Sequence, residues 1–155
     1  MATLTLTVGL PGSGKTSYAR RLEEERGAVR LTPDVWMEAL FNTNEVDGRR
    51  WVLESELLWG VAARVLTLGV DAILDYGCWS EEERELFRTR ARDLGAQTEI
   101  VFLDPPFEVL WDRISRRNDN LPPGTFRITR DELMEYSARF YRPTEAELQR
   151  WDRRL

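Results

Sequence analysis

Residues 9–16 read Gly9-Leu10-Pro11-Gly12-Ser13-Gly14-Lys15-Thr16, a full match to G-x-x-x-x-G-K-[ST], the loop that cradles nucleotide phosphates. Nothing else in the chain constrains the fold as strongly, because such a loop works only between a strand and the N-terminus of a helix. Both flanks comply. Thr3-Leu4-Thr5-Leu6-Thr7-Val8 alternates and is rich in β-formers, and Thr16 to Arg26 is rich in Ala, Arg, Leu and Glu. The 22 basic residues include a single lysine, Lys15, at the position where the loop needs a point charge for the β- and γ-phosphates. The motif therefore predicts binding of a nucleoside triphosphate through residues 9–16, with the Thr16 hydroxyl on Mg²⁺.

Other features narrow the chemistry. At 155 residues the chain suits one compact α/β domain, 1–155. Its formal charge of −5 argues against binding along a nucleic-acid duplex. There is no histidine and one cysteine, Cys78, so internal disulfides, Ser-His-Asp and Cys-His catalysis and His-based zinc sites are excluded. No run approaches the roughly 18 apolar residues of a bilayer span, and no charged segment precedes an apolar stretch at the N-terminus. A soluble, cytoplasmic protein without membrane partners is expected.

Further along, Ala28 to Leu31 reads as a second strand, and Thr32-Pro33-Asp34 as a helix start with Thr32 at the N-cap. Arg49 to Leu68 carries Trp51, Leu53, Leu57, Leu58, Val61, Val65 and Leu68 at helical spacing. Val70 to Asp75 is an apolar strand ending in an acid, and Ser80 to Glu83 a capping box. Thr98 to Leu103 is a fourth strand, Asp104-Pro105 opens a helix through Arg117, and the turn-rich loop to Ile128 precedes a second capping box, Thr129 to Glu132. No apolar fifth strand follows Phe140. The pattern predicts a three-layer α/β fold, a parallel sheet of four to five strands covered by helices on both faces, with ligands at the carboxyl ends of the strands.

Four groups there can carry chemistry. Asp34 either aligns an acceptor hydroxyl and takes its proton or only stabilises a helix start, worth roughly 0.3–1 kcal/mol. Asp75 either assists Mg²⁺ with Thr16 or closes a turn. Arg113 and Arg117, like Arg127 and Arg130 beyond them, either neutralise a transferring phosphoryl from a lid over 118–129 or satisfy a helix C-terminus. Trp36, Phe41, Tyr76 and Trp79 either wall an acceptor pocket or fill the core.

From Thr3 to about Glu147 the chain resembles the small P-loop kinases related to zeta toxins, chloramphenicol phosphotransferase and the kinase domain of polynucleotide kinases, a group of AAA-type ATP-binding proteins. Thr32-Pro33-Asp34, Ile73 to Trp79 with Glu83-Arg84, and Leu110 to Arg113 through Arg117-Asn118 carry the resemblance. It implies ATP rather than GTP, Asp34 as the acceptor-activating aspartate, Arg113 and Arg117 as lid arginines, and Asn118 as the polar residue after them. Polynucleotide kinases often place an arginine three residues after that aspartate, where this chain has Met37. The expectation is transfer of the γ-phosphoryl of ATP to a hydroxyl of a small, uncharged or weakly charged molecule. A 5′-hydroxyl kinase of nucleic-acid ends and a non-catalytic nucleotide-dependent switch are the alternatives.

Overall fold

A computed structural model describes all of residues 1–155. Five parallel strands stand in the order β2-β3-β1-β4-β5: β1 (Thr3–Val8), β2 (Val29–Leu31), β3 (Ala72–Gly77), β4 (Gln97–Phe102) and β5 (Arg153–Arg154). The helices are α1 (Lys15–Arg26), α2 (Pro33–Phe41), α3 (Arg49–Val52), α4 (Leu58–Thr67), α5 (Glu81–Asp93), α6 (Phe107–Asp119), α7 (Arg130–Arg139) and α8 (Glu145–Leu148), with a π-helical turn, Leu53–Leu57, joining α3 to α4. Helices cover both sheet faces. None is long and apolar enough to cross a membrane.

Alternation along β1 assigns the layers. Leu4, Leu6 and Val8 enter the main core with Leu58, Ala62 and Leu66 of α4 and Phe87 and Ala91 of α5. Thr3, Thr5 and Thr7 face the opposite way, where α1 packs Ala19 and Leu22 on Ile73. This second layer is unusually polar: buried Glu99 accepts from the Thr5 hydroxyl at 3.0 Å and from Arg26 of α1 at 2.8 Å. The apolar layer does most of the burying, at about 25 cal/mol per Å², and the polar layer leads to the site.

The sheet has five strands, within the expected four to five, and the fifth is two arginines paired to Glu99 and Ile100, so it has no apolar signature to find. Three sequence expectations need correction. β3 runs two residues past Asp75, because a register shift between Leu6 and Val8 brings Val8 opposite Gly77. The α6 helix begins at Phe107 rather than at Asp104-Pro105, and Asp104 instead pairs with Arg142 at 2.8 Å. Finally, the Arg49 to Leu68 stripe loses phase. Leu53, Leu58, Ala62 and Leu66 are buried, whereas Leu57, Val61 and Leu68 are exposed. The step of five from Leu53 to Leu58 is the π-turn, which inserts one residue into the helical repeat. Its Glu54 and Ser55 carbonyls accept from the Tyr76 hydroxyl at 2.8 Å and from Arg90 at 2.7 Å, so side chains of β3 and α5 hold the turn.

Arg84 is the largest fully buried side chain. Its guanidinium forks onto Glu147 at 2.8 and 2.9 Å and donates to the Cys78 carbonyl at 3.0 Å, tying α8 and the loop after β3 to α5. Removing one partner strands a buried charge, which typically costs 3–5 kcal/mol. Glu147→Ala is therefore expected to lower urea-unfolding stability by about that amount, whereas the joint replacement Arg84→Met with Glu147→Leu should recover most of it. A single-variant loss below about 1 kcal/mol in the same titration would contradict this account.

Candidate active site

At the carboxyl edge of β1 and β3 lies a cleft of about 930 Å³. The phosphate loop forms one wall. Gly14 caps α1 at φ 98°, a left-handed backbone that favours glycine, and no side chain caps the helix. The first-turn N–H groups of α1 thus remain free for an anion. Gly9 is needed for closeness: a Cβ there would lie 2.6 Å from Ser13 Oγ and 2.7 Å from the Leu103 carbonyl. Pro11, Gly12, Gly14, Lys15 and Thr16 line the cleft, and Gly9, Leu10 and Ser13 stand behind them. Of the eight expected cradle residues, five therefore line the cleft and three do not. Lys15 Nζ donates to the Leu10 carbonyl at 3.2 Å. Burial pushes its pKa down, although Asp75 and Asp34 pull it up. The half-buried Lys15 makes no ion pair within the chain.

Asp75 sits on the α1 face of β3, two residues after Ile73. Its Oδ2 accepts from Thr16 at 2.7 Å and from Thr32 at 3.1 Å, and its Oδ1 from Thr7 at 2.9 Å. Thr32 therefore turns its hydroxyl to Asp75 rather than capping α2, where it makes no side-chain cap. Three hydroxyls from three elements fix this carboxylate beside Thr16. The chain has no cluster of three or more His, Cys, Asp or Glu that could hold a metal. One carboxylate beside one hydroxyl nevertheless suits Mg²⁺, which takes hard oxygens and is commonly held by one or two carboxylates plus phosphates.

Asp34 opens α2 and lines the same cleft as the phosphate loop. Its Oδ1 pairs with Arg50 Nη1 at 2.7 Å, while Arg50 Nε meets Glu54 Oε1 at 3.1 Å and Nη1 donates to the Asn44 carbonyl at 3.2 Å. Burial opposes the charge on Arg50, but Asp34 and Glu54 overcome it and raise its pKa. Burial lifts the Glu54 carboxyl to about 7 against the pull of Arg50. Arg50 and Glu54 escaped the sequence reading. Their i, i+4 spacing resembles any surface ion pair, and only the meeting of α3 with α2, Arg50 on Asp34 and Arg49 over the Phe41 ring, sets Arg50 in the cleft.

The arginines separate. Arg117 lines the cleft, its Nε is buried without a partner, and burial lowers its pKa while Asp34 raises it. Arg113 donates to the Gly12 carbonyl at 3.0 Å and also lines the cleft. Arg130 instead pairs with Glu108 and lies over the Phe107 and Trp111 rings, and Arg127 is outside the cleft lining. Asn118 closes the base of the 118–129 segment, donating to the Ile128 carbonyl at 2.7 Å and accepting from its N–H at 3.1 Å. Helix α6 takes up the first two residues of that segment, and the Gly124 N–H donates to Glu38 of α2. Tyr76 and Trp79 line the cleft, but Trp36 and Phe41 do not. Trp79 is held by its indole N–H on the Gly9 carbonyl at 3.3 Å and by the Tyr136 ring at 5.1 Å.

This arrangement sits on a chain whose residues 4–143 match a family described as AAA domain. The chain belongs to that family. Several solved structures share the fold of this AAA domain. Kti12 from Chaetomium thermophilum, in complex with ADP-AlF3, superposes with a TM-score of 0.72 at 16% identity, covering 92% of this chain and 82% of its own. A sugar kinase from Janibacter sp. gives 0.64 at 20% identity, covering 95% and 82%. A gluconokinase from Sinorhizobium meliloti gives 0.61 at 17% identity, covering 93% and 77%. These likenesses establish the P-loop, three-layer α/β fold.

Proposed function

We propose that this AAA domain is an ATP- and Mg²⁺-dependent phosphotransferase of the cytoplasm that moves the γ-phosphoryl of ATP to a hydroxyl of a small molecule. One observation carries the reading: Lys15 and the unpaired guanidinium of Arg117 face Asp34 within one cleft. Cations for a transferring phosphoryl and a carboxylate for the incoming hydroxyl are what in-line transfer requires. Free N–H groups of α1 and Lys15 bind the phosphates. Arg117 offsets charge that grows during transfer, with Arg113 beside the loop, and Asp34, steadied by Arg50, orients the acceptor O–H and takes its proton. Thr16 and Asp75 are the residues that hold Mg²⁺, which when bound neutralises phosphate charge. The test is incubation with ATP, Mg²⁺ and a library of metabolites, antibiotics and nucleosides, scored by mass gain of one phosphoryl group. ATP binding with no transfer to any hydroxyl would favour the nucleotide-switch reading.

A nucleic-acid 5′ end fits less well. Met37, three residues after Asp34, is fully buried, and Arg50 is already shared between Asp34 and Glu54, so neither offers a free cation to an acceptor phosphate. The 118–129 segment is assigned as the lid that keeps water from the reaction. It meets α2 through one hydrogen bond, from Gly124 to Glu38, and the packing of Gly124 on Val35, and ligands bound beneath it should tighten it. Amide exchange at residues 121–127 is expected to slow at least several-fold when a non-hydrolysable ATP analogue and acceptor are both added. Exchange that is the same with and without ligands would show that the segment is no lid.

A further inference from the structure

The helix that carries Asp34 also carries the contact that holds the lid. Asp34 and Glu38 stand four residues apart on α2 and therefore share one helical face. Asp34 lines the cleft, whereas Glu38 does not and instead accepts from the Gly124 N–H at the tip of the 118–129 segment. We propose that Glu38 is a positioning residue that couples the lid to the acceptor helix, so that closure over bound nucleotide fixes α2 and sets Asp34 for the incoming hydroxyl. This rests on the phosphotransferase reading and adds to it the means by which bound nucleotide governs the acceptor base.

The tip is shaped for this contact. Gly124 has φ +76°, and a Cβ added there would lie 2.7 Å from Val35 Cγ2 and 3.5 Å from Val35 Cα, so glycine lets the lid backbone come this close to α2. Pro122 and Pro123 precede it, and the Thr125 hydroxyl donates to the Pro122 carbonyl at 2.6 Å, which makes the tip a stiff turn. The base is tied as firmly: Asn118 bonds both backbone groups of Ile128 at 2.7 and 3.1 Å, and Phe126 and Ile128 reach the main core. A segment stiff at its tip and tied at its base transmits a displacement rather than absorbing it. Arg117 immediately precedes Asn118, and Asp34 is near enough to oppose the effect of burial on its guanidinium. Helix α2 thus faces the lid at its tip, through Val35 and Glu38, and at its root, through Asp34. Phosphates that draw Arg117 inward act on α2 at both places. Val35 is 43% exposed and Glu38 half-buried, so the contact is partly open to water and opens readily until ligand is bound.

The experiment is amide hydrogen exchange on the full chain with and without Mg²⁺ and the β,γ-imido analogue of ATP. It is read at residues 35–41 of α2 and at residues 121–127, with α5 as the control. In the parent protein both segments are expected to slow on adding the analogue, α2 by about threefold or more. Glu38→Ala, which removes the acceptor, and Gly124→Ala, which drives a Cβ into Val35, should each hold the gain in α2 below about 1.5-fold while the analogue still binds. Glu38→Gln, whose amide oxygen can accept from the Gly124 N–H, should keep most of the gain, a rescue that a surface charge without this role would not show. Exchange of α2 that ignores the analogue in the parent protein, a full gain in either alanine variant, or Glu38→Gln failing as Glu38→Ala does would overturn the proposal. Failure of the parent reading looks different: the exchange pattern appears as expected, but no phosphoryl group passes from ATP to any hydroxyl compound.

Discussion

Lys15→Met is expected to remove most nucleotide affinity in calorimetric ATP titration while the protein stays folded, with thermal stability in the absence of nucleotide unchanged or raised. The half-buried side chain lines the cleft, burial drives its pKa down, and within the chain it donates only to the Leu10 carbonyl. Methionine is of similar length and removes the partly desolvated charge. With phosphate present the sign reverses, because the lysine supplies a close charge in a partly water-excluded site, where losing one member of such a pair costs about 2–5 kcal/mol, or roughly 30- to several thousand-fold in affinity. The increase in melting temperature on adding ATP should vanish in parallel. Unchanged affinity would remove the phosphate-loop assignment and every role built on it.

Asp34→Asn should leave ATP affinity within a few-fold of the parent protein and lower phosphoryl transfer by about 10²–10⁴-fold, the usual worth of a positioned general base. The side-chain amide can still stand at the start of α2 and accept from Arg50, so the helix and the Asp34–Arg50–Glu54 linkage are largely retained. What it loses is the capacity to take a proton. A stability change without a rate change would reduce Asp34 to a helix-start residue; a rate loss at constant nucleotide affinity places it on the acceptor. Adding Arg50→Met to Asp34→Asn is expected to cost little further rate, since a residue that acts by holding Asp34 has nothing left to hold.

Arg50 also marks the boundary of what can be read from the chain. The phosphate loop, the first strand and helix, and the strand–helix alternation were legible because each is written locally: glycines where φ is positive, alternating residues in β1, caps at Ser80 and Thr129. Lys15, Thr16, Asp75 and Asp34 followed because the carboxyl ends of parallel strands share one edge. Those residues do line a single cleft.

Other parts depended on contacts between distant segments. The two-residue β5 is held by pairing with β4 and has no hydrophobic pattern of its own. The π-turn shifts the buried positions of the α3–α4 helix by one, a change visible only once Tyr76 and Arg90 are seen taking its carbonyls. Thr32 reads as an N-cap, but the carboxylate of Asp75, 43 residues away, takes its hydroxyl. Arg117 and Arg130 look alike as cations near a loop, yet one has a buried nitrogen in the cleft and the other is spent on Glu108. The sequence by itself determined the nucleotide loop, the α/β class and the principal carboxylates, since those rest on backbone conformation and nearest-neighbour pattern. Only the tertiary structure decided which charged side chains are neutralised and which stay free for a ligand, because that depends on which distant partner each one meets.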